Sequence, residues 1–163
     1  MSFDVGDKVV YPHHGAAVIA RKETIELDGE RRDYLVLDIA FGSLTLKVPS
    51  DRTDEVGLRG VIDAEEAEEV FALLARRGTR EPANWSRRFK NNVEKLKSGD
   101  VYQVAEVVRN LSHREQDKHL SAGEKRLLVS ARRVLVSELV LAIGADEDEV
   151  ERRLDEVLTP PAG

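Results

Sequence analysis

Leu44-Thr45-Leu46-Lys47-Val48-Pro49 is the last stretch of this chain in which apolar and polar residues alternate with period two, and it divides a strand-forming start from a helical remainder. The alternation predicts Leu44, Leu46 and Val48 facing inward and Thr45 and Lys47 outward, with Pro49 ending the strand because it has no backbone N–H to donate. Working backwards, Gly42-Ser43 predicts a turn. Asp28-Gly29 separates the runs Arg21 to Leu27 and Glu30 to Ile39 and can supply the positive φ angles of a type I′ hairpin. Earlier still, Gly6-Asp7 precedes Lys8-Val9-Val10-Tyr11, and Gly15 precedes Ala16 to Ile19. Four or five short strands in about fifty residues predict a small, strongly bent antiparallel sheet or partial antiparallel β-barrel of the Tudor or SH3-like sort.

Working forwards, the period changes. Ser50 to Ile62, with Gly57 and Gly60, is a connector with room for one short strand. Asp63 and Glu66 form a capping box for a helix over 64–77, whose apolar stripe is Val70, Phe71, Leu73 and Leu74. A second helix starts near Asn84 and runs through Phe89, Val93 and Leu96 to Ser98-Gly99. Asp100 caps a third helix carrying Val101, Val104, Ala105, Val108 and Leu111 on one face. Ser121 and Glu124 form another capping box, which opens a helix over 122–143. Leu120, Leu127, Val134 and Leu141 recur there every seven residues, but Leu128, Ala131, Leu135 and Leu139 widen the stripe beyond a zipper seam, which predicts the central helix of a bundle. Gly144 ends it, and Val150, Leu154, Val157 and Leu158 mark a last short helix before Pro160-Pro161. The fold class is α+β: a β domain over 1–53, a connector over 54–63 and an all-α domain over 64–163.

Composition narrows the function. Without cysteine the chain has no disulfides, Cys-ligated metal or thiol nucleophile, and it suits a reducing cytoplasm. No stretch has the length and apolarity of a signal peptide or membrane span, so no membrane association is expected. The net charge of −6 is unevenly distributed. From Arg76 to Lys97 cations outnumber anions, whereas Asp54 to Ala75 and Ser137 to Gly163 are strongly acidic. A basic segment between acidic ones predicts a directed anion contact.

Chemistry-bearing side chains do not assemble into a catalytic or metal site. His13-His14 are neighbours that would face opposite ways in a strand, and His113 and His119 suit surface positions. Glu65-Glu66 and Glu68-Glu69 belong to a solvated helix face. No phosphate-cradling glycine loop, nucleophile elbow or dinucleotide fingerprint occurs. The expectation is no enzyme and no cofactor.

The exception is Asn84-Trp85-Ser86-Arg87-Arg88-Phe89-Lys90, which sets the only tryptophan beside three cations at a helix start. In one reading Trp85 joins Phe89, Val93 and Leu96 in the core. In the other it projects from the first turn, where free N–H groups attract phosphates, while Arg87, Arg88 and Lys90 lie off the apolar stripe and flank it. An aromatic wedge between phosphate-holding cations is a minor-groove strategy, favoured where bases are already unstacked.

Val5-Gly6-Asp7-Lys8-Val9-Val10-Tyr11-Pro12-His13-His14-Gly15, Tyr34-Leu35-Val36-Leu37, Asn84-Trp85-Ser86-Arg87-Arg88 and Leu120-Ser121-Ala122-Gly123-Glu124-Lys125-Arg126 together closely resemble the CarD family of bacterial transcription regulators, over nearly the whole chain. The resemblance implies a Tudor-like N-terminal domain, similar to that of the transcription-repair coupling factor, that docks on the RNA polymerase β subunit in the housekeeping-sigma holoenzyme. It implies a helical domain that contacts promoter DNA in the minor groove at the upstream fork of the bubble and stabilises the open complex. The family's wedge falls on Trp85 and its DNA-contacting cations on Arg87, Lys90 and Lys125. Arg88 and Arg126, beside them in the same motifs, complete the candidate DNA-binding set. Of two basic polymerase-binding positions, one falls on Lys47 and the other on Ile25, which is apolar here. Arg21, Lys22, Arg31 and Arg32 are candidate substitutes on the same hairpin. The expected protein is a cytoplasmic monomer, associated with the nucleoid through polymerase. The rival reading is an adaptor on RNA polymerase without direct DNA contact.

Overall fold

The computed structural model describes residues 3–40, 44–77 and 81–159. The expected turn at Gly42-Ser43 and the Pro160-Pro161 tail lie outside them. Ten elements follow in order: β1 (Lys8–Tyr11), β2 (Gly15–Leu27), β3 (Glu30–Ile39), β4 (Thr45–Pro49), β5 (Arg59–Gly60), α1 (Ala64–Ala75), α2 (Trp85–Lys97), α3 (Val101–Asp117), α4 (Ala122–Ile143) and α5 (Glu147–Leu158).

The strands form one antiparallel sheet in the order β4-β3-β2-β1-β5. It is open, with β4 and β5 as edges, so of the bent-sheet and barrel forms expected the N-terminal module takes the open sheet. The two runs expected on either side of Ala20 are one long strand, bent where the register shifts between Ile19 and Arg21. Asp28 and Gly29 have φ of 51° and 79°, the two positive values a type I′ turn requires. In β4 Leu46 and Val48 face the core, but Leu44 precedes the strand and is 46 % exposed, contrary to the alternation. The connector supplies β5, which pairs with β1 and brings Leu58 into the core of Val9, Ile19, Leu35, Leu37 and Val48.

The helices form a bundle whose core runs through Val70, Leu74, Val104, Leu111, Leu135, Leu139 and Leu154. Both α3 and α4 pack on all the other helices, and α4 is ended by Gly144 in the left-handed region. Both expected capping boxes are formed, Asp63 with Glu66 and Ser121 with Glu124. The buried Arg109 donates to Leu73 O at the C-terminal end of α1, where the helix dipole favours a cation.

A closed seam joins the two modules. Arg59 on β5 grips Glu138 of α4 with both terminal nitrogens at 2.7 Å, and its Nε donates to Gly99 O at 2.6 Å. Glu138 also accepts the Ile62 N–H at 3.0 Å. The Ala16 N–H donates to Ser137 Oγ at 2.9 Å. Gly15 precedes it at φ +100°, where a Cβ would lie 2.8 Å from that oxygen, so only glycine brings the β1–β2 turn this close to α4. Pro12 packs between Gly57 and Gly99, at which a Cβ would come within 3.1 and 3.0 Å of its ring. Val10, Pro12, Leu96, Val101, Val134 and Leu135 leave about 10 Å³ between them, at the lower limit for one water. His13 and His14 lie in a turn, not in a strand, and His13, which lines the seam, has a positive φ of 74°.

Candidate nucleic-acid interface

The first turn of α2 is built by Asn84, whose side chain accepts the Arg87 N–H at 3.0 Å and caps the helix. Trp85 at the first helical position stays 44 % exposed. Its ring stacks on Phe89 with centroids 5.0 Å apart and planes within 9°, while Phe89 packs against the bundle core. The core role weighed for the tryptophan thus belongs to its neighbour one turn on.

The indole N–H points inward and is shared by Ser121 Oγ at 3.2 Å and Glu124 Oε1 at 3.1 Å. These are the cap and third residue of α4, so Trp85 ties the N-terminal ends of α2 and α4 together. Neither end carries an exposed acid: α2 has none in its first turn, and the single one of α4, Glu124, is 2 % exposed. By contrast α1 and α5 open on Glu65-Glu66 and on Glu147-Asp148-Glu149. Two partly positive helix ends, free of exposed carboxylates, therefore meet at one aromatic ring. Arg87 and Lys90 on the first two turns of α2, and Lys125 and Arg126 on those of α4, are all exposed. A shallow groove lined by Asn84, Ser86, Arg87, Lys90, Asn91 and Glu94 runs along the first turns of α2.

Arg88 departs from the sequence reading. It is 3 % exposed, its Nε bonds Glu124 Oε2 at 3.3 Å, and Nη1 lies 3.4 Å from Ala83 O. Residues 88, 92 and 96 are four apart, and Arg88, Asn92 and Leu96 are all buried, so the inward face of α2 is wider than the Phe89-Val93-Leu96 stripe. Arg88 braces the interface from inside.

Glu124 was legible only as half of a capping box. It gathers the Trp85 and Ser121 N–H groups on one oxygen and Arg88 on the other, with Arg114 Nε 4.0 Å away. Burial pushes its carboxyl up, but the Ser121 N–H, Arg88 and the indole together hold it below the ordinary carboxylate range. A signal was available: 124 shares the helical face of the apolar positions 120, 127 and 131. Gly123 was missed as well; a Cβ there would sit 3.4 Å from Phe89.

On the sheet module, Lys47 is exposed on the edge strand and pairs with Glu23 at 3.0 Å, which Arg21 also holds at 2.7 Å. Those two cations keep the Glu23 carboxyl below its usual range. Ile25 is half-buried opposite Arg32.

Both modules match known families. Residues 3–62 match the CarD-like/TRCF RID domain, and residues 69–155 match the CarD C-terminal domain. This pairing defines a transcription regulator that interacts with RNA polymerase. The putative transcription factor YdeB of Bacillus subtilis is 31 % identical over 149 residues, covering 91 % of this chain and 97 % of that protein. The chain belongs to the CarD family, as its motifs predicted. The solution NMR structure of the 72-residue N-terminal domain of Myxococcus xanthus CarD aligns over 36 % of this chain and 79 % of that one, with 24 % identity and a TM-score of 0.31, too loose a superposition to bear on the fold. Among the described residues no helix is long and apolar enough to cross a membrane.

Proposed function

We propose that this protein bridges the RNA polymerase β subunit and promoter DNA, and that its helical module binds the minor groove at the upstream fork and prolongs the open complex. The observation that carries the reading is the half-exposed Trp85 at two joined helix N-termini, whose first turns expose Arg87, Lys90, Lys125 and Arg126. Phosphates suit the cations and the helix ends, and the indole suits the face of an unstacked base. Because the indole N–H is already satisfied and one ring face lies on Phe89, only the opposite face and the outer edge meet DNA. Such a contact senses distortion, not base-edge hydrogen bonds. Bases already separated at a melted fork spare the module the unstacking cost of a few kcal/mol per step, which gives open DNA its advantage over closed.

Polymerase binding falls to the edge strand β4 with Lys47, through backbone pairing and charge. Ile25, towards the tip of the β2–β3 hairpin, adds an apolar contact, with Arg31 and Arg32 of the same hairpin supplying charge. Docking raises the local concentration of a weak DNA module, so a modest preference for open DNA is sufficient. The test is a salt titration of binding to forked and fully paired DNA of one sequence. The fork should bind more tightly, affinity should fall linearly with log salt, and Lys90→Ala or Lys125→Ala should each reduce the slope by about 1. A flat salt dependence would identify a protein adaptor instead.

A further inference from the structure

The Glu124 carboxylate is buried, and closing its helix is only part of what it does: Oε1 accepts the Ser121 N–H at 3.3 Å to complete the capping box. Both oxygens also reach across to α2. Oε1 takes the Trp85 N–H at 3.1 Å, and Oε2 takes Arg88 Nε at 3.3 Å. Trp85 and Arg88 flank the start of α2, so one carboxylate holds that turn by the exposed ring and by the buried cation together. Phe89 lies under the ring.

We propose that Glu124 is the positioning residue of the interface, fixing the Trp85 indole before DNA arrives so that its free face already points outward. The ligand chemistry follows from the geometry. An indole with its N–H turned inward and one face covered can offer only a π surface, so the recognised group is the exposed face of an unstacked nucleobase of any identity. A fixed ring also avoids the entropy loss a freely rotating side chain incurs on binding.

The proposal rests on Trp85 contacting fork DNA, but its first test does not. Trp85 is the only tryptophan, so its emission and anisotropy in the full chain report the hold directly. Glu124→Gln removes the charge that organises Trp85 and Arg88 while keeping the side-chain length. Emission should shift to the red and anisotropy should fall with an unchanged far-UV spectrum. Affinity for forked DNA should drop about three- to tenfold, as expected for releasing one side chain, with the salt slope unaltered because the surface cations remain. A folded Glu124→Gln protein with native emission and anisotropy overturns the proposal. Should that variant not fold, Trp85→Phe decides: it keeps a ring on Phe89 but has no N–H for Glu124, so native fork affinity in Trp85→Phe overturns the proposal and a comparable loss supports it. Unchanged fork affinity in Trp85→Ala overturns the wedge reading, and with it the functional half of this proposal, whatever the fluorescence shows.

Discussion

Breaking the grip of Arg59 on Glu138 should uncouple the two modules. Glu138 is 2 % exposed and receives Arg59 twice at 2.7 Å and the Ile62 N–H at 3.0 Å. Glu138→Ala strands the Ile62 N–H, a loss of about 1–3 kcal/mol for a buried unsatisfied donor. It also removes the counter-charge of Arg59. Deleting one partner of a buried ion pair costs roughly 3–5 kcal/mol. Arg59 is 30 % exposed and keeps the Gly99 carbonyl, so water and that acceptor place the loss at the low end of this range. The two contributions overlap, and the expected destabilisation is about 3 kcal/mol, a fall in Tm of roughly 6–12 °C for a chain of this size. Replacing both partners by apolar residues, Arg59→Met with Glu138→Leu, should restore the part due to the stranded charge, while the Ile62 N–H stays without its acceptor and the Gly99 carbonyl without its donor. Thermal and urea unfolding should be followed by far-UV dichroism, which reads both modules, and by Trp85 emission, which reads the bundle. The two curves should coincide in the native protein and separate in Glu138→Ala. A destabilisation below about 1 kcal/mol, or a double variant as unstable as the single one, would refute this account of the seam.

Further tests probe the seam and the bundle surface. Gly15→Ala places a Cβ at φ +100° and 2.8 Å from Ser137 Oγ, and should cost about 2–4 kcal/mol in urea unfolding, from backbone strain and the weakened Ala16 bond. Gly29→Ala, at φ +79° with nothing within 4 Å, should cost only about 1 kcal/mol. The Tyr102 hydroxyl donates to Glu69 at 2.8 Å, and that bond to its neutral form pushes its pKa up to about 12. Because the folded pKa is raised, the stabilisation is complete below the ordinary tyrosine value of about 10 and fades as pH rises through about 12. Phenolate absorbance should show one late-titrating tyrosine, absent in Glu69→Gln.

What the sequence made legible followed periodicity and punctuation. The change after Val48, the Asp28-Gly29 turn, the capping boxes and the glycine ending α4 are local signals, and the structure keeps all four. What stayed hidden depends on residues far apart in the chain. Neither Arg59 nor Glu138 has a sequence neighbour that predicts their pairing across 79 positions. The Val5 to Gly15 stretch, one of four that carry the family resemblance, did not disclose that Pro12 and Gly15 pack into the module seam. Its position off the apolar stripe placed Arg88 outward, because its partner Glu124 lies 36 residues away and could not be read locally. Leu44 fitted the alternation and still lies outside the strand, since pattern cannot fix where strand pairing begins.

The central claim is that Trp85 acts at the edge of melted promoter DNA. Its most direct test is the lifetime of open promoter complexes formed by RNA polymerase with the native protein or with Trp85→Ala, after each has been shown to bind polymerase equally. The account predicts intact polymerase binding and a lifetime that falls towards that of polymerase alone. A lifetime equal to that with the native protein would contradict it.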